Sequence, residues 1–249
     1  MELNVVFASD ENYVQHMAVA MQSLMINNRD DFDKIHIHIL DNHISTESKN
    51  KLEEMGQKAG ANISLFFHSQ NNLEEIFHPN VNNHPSISMY SRLLIGSVLP
   101  QDVDRAIYID SDGVIVDSLR PLYDFALDDA YIAAVIDGDG PDERKEYYHI
   151  PPEQPYFNSG FLLFNLKKWR EDHVEQELIK MVNEFPGTIH YHDQDVLNAI
   201  VGNRTKILPL KYNLKPVDFF RKDWVPSIVR KYNEILPYQP EYYSYEEIK

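Results

Sequence analysis

No cysteine occurs anywhere in the 249 residues. That excludes disulfide frameworks, thiolate metal sites and cysteine nucleophiles, and it fits a cytoplasmic enzyme. Glycine is scarce, at 9 residues, so neither a collagen-like nor a low-complexity reading survives. Positive charge is also in short supply: 23 Lys and Arg stand against 39 Asp and Glu, a net charge of −16. Such a field repels phosphate backbones and argues against nucleic acid as a partner, and it offers no basic patch to anionic lipid. An anionic substrate would need a bound cation, or a few placed Arg and Lys, to reverse the field locally. Long hydrophobic runs are missing too. The apolar stretch within MELNVVFASDEN is far too short for a signal peptide or a membrane span, so no integral membrane segment is expected.

What is present suits a single α/β enzyme domain: 43% hydrophobic residues, with 15 Tyr and 12 Phe, supply a sizeable core. Residues 3–8 read as a buried strand, and 13–28 carry apolar residues at helical spacing. "KIHIHIL" (34–40) alternates with period two, which predicts a strand with His36 and His38 partly exposed on its other face. Residues 46–59 form an amphipathic helix with Ser45 or Thr46 as N-cap and Gly60 past its end, and "NISLFF" (62–67) is a third strand. This alternation means βαβ units and a parallel sheet. "SMYSRLLIGSVLP" predicts a short helix stopped by Pro100, followed by strands at "RAIYID" and "YIAAVI". Residues 138–155 are charged and rich in Gly and Pro and read as a mobile loop. "YFNSGFLLFNLKKWR" predicts a strand and then a helix continuing to about Glu184, and "HDQDVLNAIVG" another helix. Residues 205–249 read as an irregular wrap around the sheet.

The chemistry concentrates where strands end in acidic turns. Asp10 and Asp110 each follow a strand, and in open parallel sheets ligands bind beyond the carboxyl ends of strands. Taken singly, each is as readily an ordinary turn aspartate. In "RAIYIDSDGVIV" (105–116), Asp110 and Asp112 are two residues apart behind a strand. Their carboxylates suit a hard cation such as Mn²⁺ or Mg²⁺. The same stretch also matches the opening motif of haloacid-dehalogenase-like phosphatases, with Asp110 as nucleophile. That reading fails on order: the motif lies behind three βα units, and "GDGPDE" (138–143) comes too soon, without a suitable Ser/Thr or Lys before it.

Four blocks then carry a resemblance: "FASDENYVQHMAVAMQSL" (7–24), the stretch 88–124 containing "SMYSRLLIGSVLP" and "DRAIYIDSDGVIVDSLRPLYD", "YFNSGFLLFNLKKWR" (156–170) and "YHDQDVLNAI" (191–200). In this order the chain resembles glycosyltransferase family 8, the group of glycogenin and the bacterial lipopolysaccharide galactosyl- and glucosyltransferases. The resemblance implies a GT-A fold, a Rossmann-like, mostly parallel mixed sheet flanked by helices. It also implies a UDP-sugar donor, Mn²⁺ (or Mg²⁺), and transfer of glucose or galactose, with retention, to a saccharide or other hydroxyl acceptor. Asp110 and Asp112 would hold the metal. Ala8, Asp10, Asn12 and Tyr13 would form the uridine pocket, with Tyr13 stacking on the base, and Ser111 would turn its backbone to the ribose. Arg92 would reach the donor sugar and phosphate, a reading preferred to a surface arginine paired with a nearby acid, because the chain otherwise lacks positive charge there. Asp137, Asn158 and Ser159 would line the sugar pocket, where the glycine of "FNSGF" permits close backbone approach. Asp193 would bind sugar hydroxyls, and Gln194 would lie by the reactive face of the anomeric carbon. Helix-dipole complementation by Asp193 and Asp195 is the ordinary alternative, but it leaves Gln194 unexplained.

One family element is missing. Relatives close the metal site with a histidine in His-x-x-Gly-x-x-Lys-Pro-Trp, whereas here the last histidine is His192 and the late Lys215-Pro216 lacks the rest. The reading is therefore a single GT-A domain over 1–249 with C-terminal truncation, keeping two of three metal ligands. It would be cytoplasmic, and peripheral to the inner face of the membrane in the full-length protein; the pattern leaves the oligomeric state open. A non-catalytic sugar-nucleotide-binding module is the alternative that this missing element motivates.

Overall fold

The protein is described by a computed structural model covering residues 1–79, 87–137, 142–185, 187 and 189–215. Strand β1 (Glu2–Asp10) leads through α1 (Val14–Asn28), β2 (Lys34–Asn42) and α2 (Thr46–Ala59) to β3 (Ile63–Ser69). α2 has the expected ends: Ser45 Oγ accepts from the Ser48 N–H at 3.1 Å, and Gly60 follows the last turn. Next come α3 (Leu73–Ile76), a 3₁₀ helix over Ile87–Leu94, α4 (Ile95–Val98), β4 (Arg105–Ile109), α5 (Arg120–Tyr123) and β5 (Ile132–Ile136). They are followed by α6 (Asp142–Tyr147), β6 (Phe157–Asn165), α7 (Leu166–Glu171), α8 (Val174–Glu184), α9 (His192–Val201) and β7 (Thr205–Ile207).

The strands form one mixed sheet in the order β3-β2-β1-β4-β6-β5-β7, in which β6 runs antiparallel to both neighbours and the other pairings are parallel. Two consequences place the site. The chain turns from β1 outward to β2 and β3, then returns to pair β4 on the other side of β1, so a crevice opens beyond β1 and β4. Because β6 is reversed, its first residues meet the last residues of β4 and β5: Ile109 pairs with Phe161 and Ile136 with Phe157. The central strands are apolar on both faces because both are covered. Leu3, Val5, Phe7 and the odd-numbered Ile35–Ile39 pack on Met17, Met21 and Leu24 of α1. Val6, Tyr108, Leu162 and Phe164 pack on Tyr90, Trp169, Val196 and Leu197 on the other side. Among the described residues no helix is long and apolar enough to cross a membrane.

Several local expectations need correction. The stretch "SMYSRLLIGSV" is a 3₁₀ segment passing into a single α turn. The described part of 138–155 contains α6 and is packed. Lys145, 2% exposed, donates to the carbonyls of Pro152 (2.8 Å) and Gln154, and Tyr148, Ile150 and Tyr156 form a small cluster of their own. Lys145 thus gathers the carbonyls of the turn. The helix expected to run to Glu184 breaks at Asp172–His173, where His173 takes a left-handed φ of 54°. His38 is buried rather than partly exposed, because β3 brings His68 to within 3.0 Å of its Nδ1 while Asn4 Oδ1 lies 3.2 Å from its Nε2. In the tail, 205–207 form β7, paired with β5. Residues 216–249, the remainder of the expected wrap, and 138–141 lie outside the described residues.

Candidate active site

The acidic turns that the sequence singles out do share one edge of the sheet. Asp110 follows β4, and its N–H donates to the Gly160 carbonyl of β6 at 2.8 Å. Asp137 follows β5 and donates likewise to Tyr156 at 2.8 Å. Across the β1/β4 crevice the Ser111 hydroxyl donates to the Ala8 carbonyl at 2.6 Å, tying the Asp110 turn to the end of β1. Asp112 lies on the exposed side of that turn.

Arg92 reaches this edge from the 3₁₀ segment and is 9% exposed. Its Nη2 lies 3.0 Å from Asp110 Oδ1, its Nη1 donates to the Ser159 carbonyl at 2.9 Å, and its Nε is 3.2 Å from Asp193 Oδ2. The guanidinium stacks over the Tyr108 ring at 4.4 Å. Burial works against its charge, but Asp110 and Asp193 outweigh that and raise its pKa further. Tyr108 donates to Asp110 Oδ1 at 3.0 Å, and burial pushes its own phenol well above the usual range, so it remains a donor. Burial also raises the Asp193 carboxyl, opposed by Arg92. Arg92 Nε and Asp193 Oδ2 are buried, and neither has a hydrogen bond among the described residues.

Beside this bridge lies an amide network. Gln194 Oε1 accepts from the Ser159 N–H at 3.1 Å and from Asn158 Nδ2 at 3.0 Å, while its Nε2 donates to Asp137 Oδ2 at 2.9 Å. A backbone donor on one side and a carboxylate on the other admit only this orientation of the carboxamide. Asn158 Oδ1 accepts in turn from the Gly160 N–H at 2.9 Å and from Asn213 Nδ2 at 2.8 Å. A Cβ on Gly160 would sit 2.5 Å from Asp110 Oδ2 and 3.0 Å from Asn158 Oδ1, so the glycine is required by the close approach of two site side chains.

At the end of β1, Asp10 Oδ1 accepts from the N–H groups of Asn12 (2.9 Å) and Tyr13 (3.0 Å), and so it organises the turn into α1. This is the ordinary turn role of an aspartate behind a strand. Tyr13 is 54% exposed, its ring presented to solvent. The structure thus brings Arg92, Asp110, Asp137, Asn158, Ser159, Asp193 and Gln194 into one contiguous cluster and links Ser111 to Ala8.

A model of the family described as "Glycosyl transferase family 8" matches residues 4–232. The chain belongs to glycosyltransferase family 8. A lipopolysaccharide 1,2-glucosyltransferase of Escherichia coli is 30% identical over 84% of this chain and 62% of its own length. General stress protein A of Bacillus subtilis is 27% identical over 93% of this chain and 81% of its own. Among solved structures, galactosyltransferase LgtC in complex with donor and acceptor sugar analogues superposes with a TM-score of 0.79 at 29% identity. The match covers 97% of this chain and 87% of that one. The mixed, helix-flanked sheet is therefore the GT-A fold, and the phosphatase alternative falls. The chain spans less than two thirds of the length of several curated family relatives it matches.

Some contacts of this family 8 site escaped the sequence reading. Asp195 is a structural acid, accepting from the Tyr156 hydroxyl and from the Tyr191 N–H at 2.7 Å. Asn198 clamps α9 to the start of β6: Oδ1 accepts from the Phe157 N–H (2.8 Å), and Nδ2 donates to the carbonyls of Phe157 (2.9 Å) and Gln194 (2.8 Å). Its one visible signal was an amide among Val196, Leu197 and Val201 on an otherwise apolar face. Asn213 had no signal, and Lys215 was visible only as part of an incomplete Lys-Pro motif, since only the folded chain brings them here.

Proposed function

We propose that this chain is a retaining hexosyltransferase. It moves glucose or galactose from a UDP-sugar to a saccharide or other hydroxyl acceptor, on one GT-A domain spanning residues 1–249, in the cytoplasm. The observation that carries this reading is the Asp110–Arg92–Asp193 bridge, with Arg92 and Asp193 buried, beside the Gln194 amide network. Arg92 places a cation at the ligand-binding edge of the sheet, but Asp110 and Asp193 leave the bridge net negative, so an anionic donor would need a divalent cation there as well. The sugars named for the E. coli relative and for LgtC support hexose transfer.

The residues fit a hard divalent cation, Mn²⁺ or Mg²⁺. Asp110 and Asp112 offer two carboxylates just past β4, and Gly160, lacking a Cβ, lets the Asp110 carboxylate lie close against β6. Bound there, the ion would offset the charge of the departing diphosphate. Among the described residues no group of three His, Asp or Glu could hold a metal ion.

The remaining work falls to the chain. Tyr13 offers a stacking face for uracil, Asp10 an acceptor for its imide N–H, and Ala8, Asn12 and Ser111 the backbone and turn around the nucleoside. Arg92 steadies the donor phosphate and sugar, and Asp137, Asn158, Ser159 and Asp193 receive the sugar hydroxyls. Gln194 Oε1 already accepts two hydrogen bonds, which disfavours its attack on the anomeric carbon. Front-face displacement is the step we assign. The acceptor oxygen bonds to the anomeric carbon as the bond to the UDP oxygen breaks, and the acceptor proton passes to the leaving phosphate oxygen.

A screen of UDP-sugars scored by hydrolysis tests this. UDP release is expected from UDP-glucose or UDP-galactose with Mn²⁺, and Asp112→Ala should abolish it while leaving the circular dichroism unchanged. Wild-type rates in Asp112→Ala would refute the metal assignment, and UDP binding without any turnover would point to a binding module.

A further inference from the structure

The Gln194 carboxamide is held at both ends, and both threads lead to one short segment. On the nitrogen side, Gln194 Nε2 donates to Asp137 Oδ2 at 2.9 Å, and Asp137 Oδ1 is ion-paired to Lys215 Nζ at 2.6 Å. On the oxygen side, Gln194 Oε1 accepts from Asn158 Nδ2 at 3.0 Å, and Asn158 Oδ1 accepts from Asn213 Nδ2 at 2.8 Å. Asn213 and Lys215 are two residues apart just beyond the Leu210–Tyr212 turn, so both side chains arrive from one piece of backbone. Neither belongs to the metal turn or the nucleotide pocket, and Lys215 brings a second cation to the site.

We propose that Asn213 and Lys215 are positioning residues that act as a two-pronged clamp, fixing the orientation of the Gln194 carboxamide through Asn158 and Asp137. The chemistry explains the residue types. Asp137 is a buried carboxylate that must remain an acceptor to hold Gln194 Nε2, and a buried carboxylate keeps its charge only beside a cation. Lys215 supplies such a cation. Asn158 must spend its amide N–H on Gln194 Oε1, so its own oxygen needs donors; the Gly160 N–H supplies one and Asn213 the other. With either prong removed, Asp137 or Asn158 loses a partner that holds it in place, and the carboxamide, still pointed by the Ser159 N–H, is less firmly held in the orientation it offers the anomeric carbon.

The proposal rests on the hexosyltransferase reading only for its kinetic arm. In that arm, Lys215→Met should lower kcat for UDP-hexose hydrolysis at least tenfold while the affinity for UDP alone stays within twofold, and Lys215→Arg should recover most of the loss. Asn213→Ala should act in the same direction. The second arm needs no turnover. In ¹⁵N-labelled protein, the Gln194 side-chain NH₂ pair should be two sharp, well-separated resonances in the wild type and in Lys215→Arg, and collapsed or broadened in Lys215→Met. If the wild type turns over no UDP-hexose, the functional reading falls and the resonances still decide the clamp. Unchanged Gln194 resonances in a folded Lys215→Met, or unchanged kcat there, would overturn it.

Discussion

Gly160→Ala gives a sharp test of the site geometry, because its effect can be worked from one contact. The added Cβ would lie 2.5 Å from Asp110 Oδ2 and 3.2 Å from its Cγ. Non-bonded atoms rest at about 3.5 Å, so relief requires the carboxylate to move by about 1 Å. Asp110 cannot turn without cost, since Oδ1 is held by Arg92 Nη2 and the Tyr108 hydroxyl, both at 3.0 Å. Its side chain is nevertheless 42% exposed and can swing outward, which places the stability cost near the low end for overpacking, about 1 kcal/mol. For a domain of this size that is a fall in Tm of about 2–4 °C. A 1 Å misplacement of a group in an active site costs about 100-fold in rate. Scanning calorimetry paired with Mn²⁺-dependent hydrolysis of UDP-hexose should therefore show a small thermal change beside a large kinetic one. Wild-type turnover in Gly160→Ala would refute the role given to Asp110, and a collapse of Tm would show that the carboxylate has no freedom to swing.

Arg92→Lys keeps the charge but not the fork that spans Asp110, Asp193 and the Ser159 carbonyl, so kcat should fall about 100-fold in the same assay. Asn198→Ala strips the partners from the buried N–H and C=O of Phe157 and should destabilise by about 3 kcal/mol in urea unfolding, with little spectral change in the fold. His38 titrates at about 3 rather than 6.5, chiefly through burial and then through His68 and His36. The unfolded chain takes this proton below about pH 6.5 and the folded chain resists it. The group's contribution is therefore intact above pH 6.5 and lost progressively as the pH falls toward 3, by at most about 1.4 kcal/mol per unit. Urea midpoints at pH 7.5 and 5.5 should converge in His38→Gln relative to wild type.

Local signals were faithful where a residue's role depends on its near neighbours. The Ser45 cap and the Gly60 stop bound α2 as read, and the hydrophobic periods located β1, β2 and β3. The turn aspartates were visible because acidic residues behind an apolar strand are informative in themselves. Contacts made across the fold were not visible. Nothing local says that β6 inserts in reverse between β4 and β5, yet that reversal delivers Asn158, Ser159 and Gly160 to Asp110. His38 looked like a surface residue until β3 brought His68 against it. The loop reading of 138–155 did not show the carbonyls that capture Lys145. Lys215, noted only as a fragment of a missing motif, proved to be the partner of Asp137.

The central claim is that Asp110 and Asp112 couple a divalent cation to a uridine diphosphate. Calorimetric titration of UDP into the protein, with and without Mn²⁺, tests it most directly. The account predicts at least tenfold tighter binding with Mn²⁺ and loss of that increment, but not of the metal-free affinity, in Asp112→Ala. UDP affinity that is indifferent to the metal, or no UDP binding at all, would contradict it.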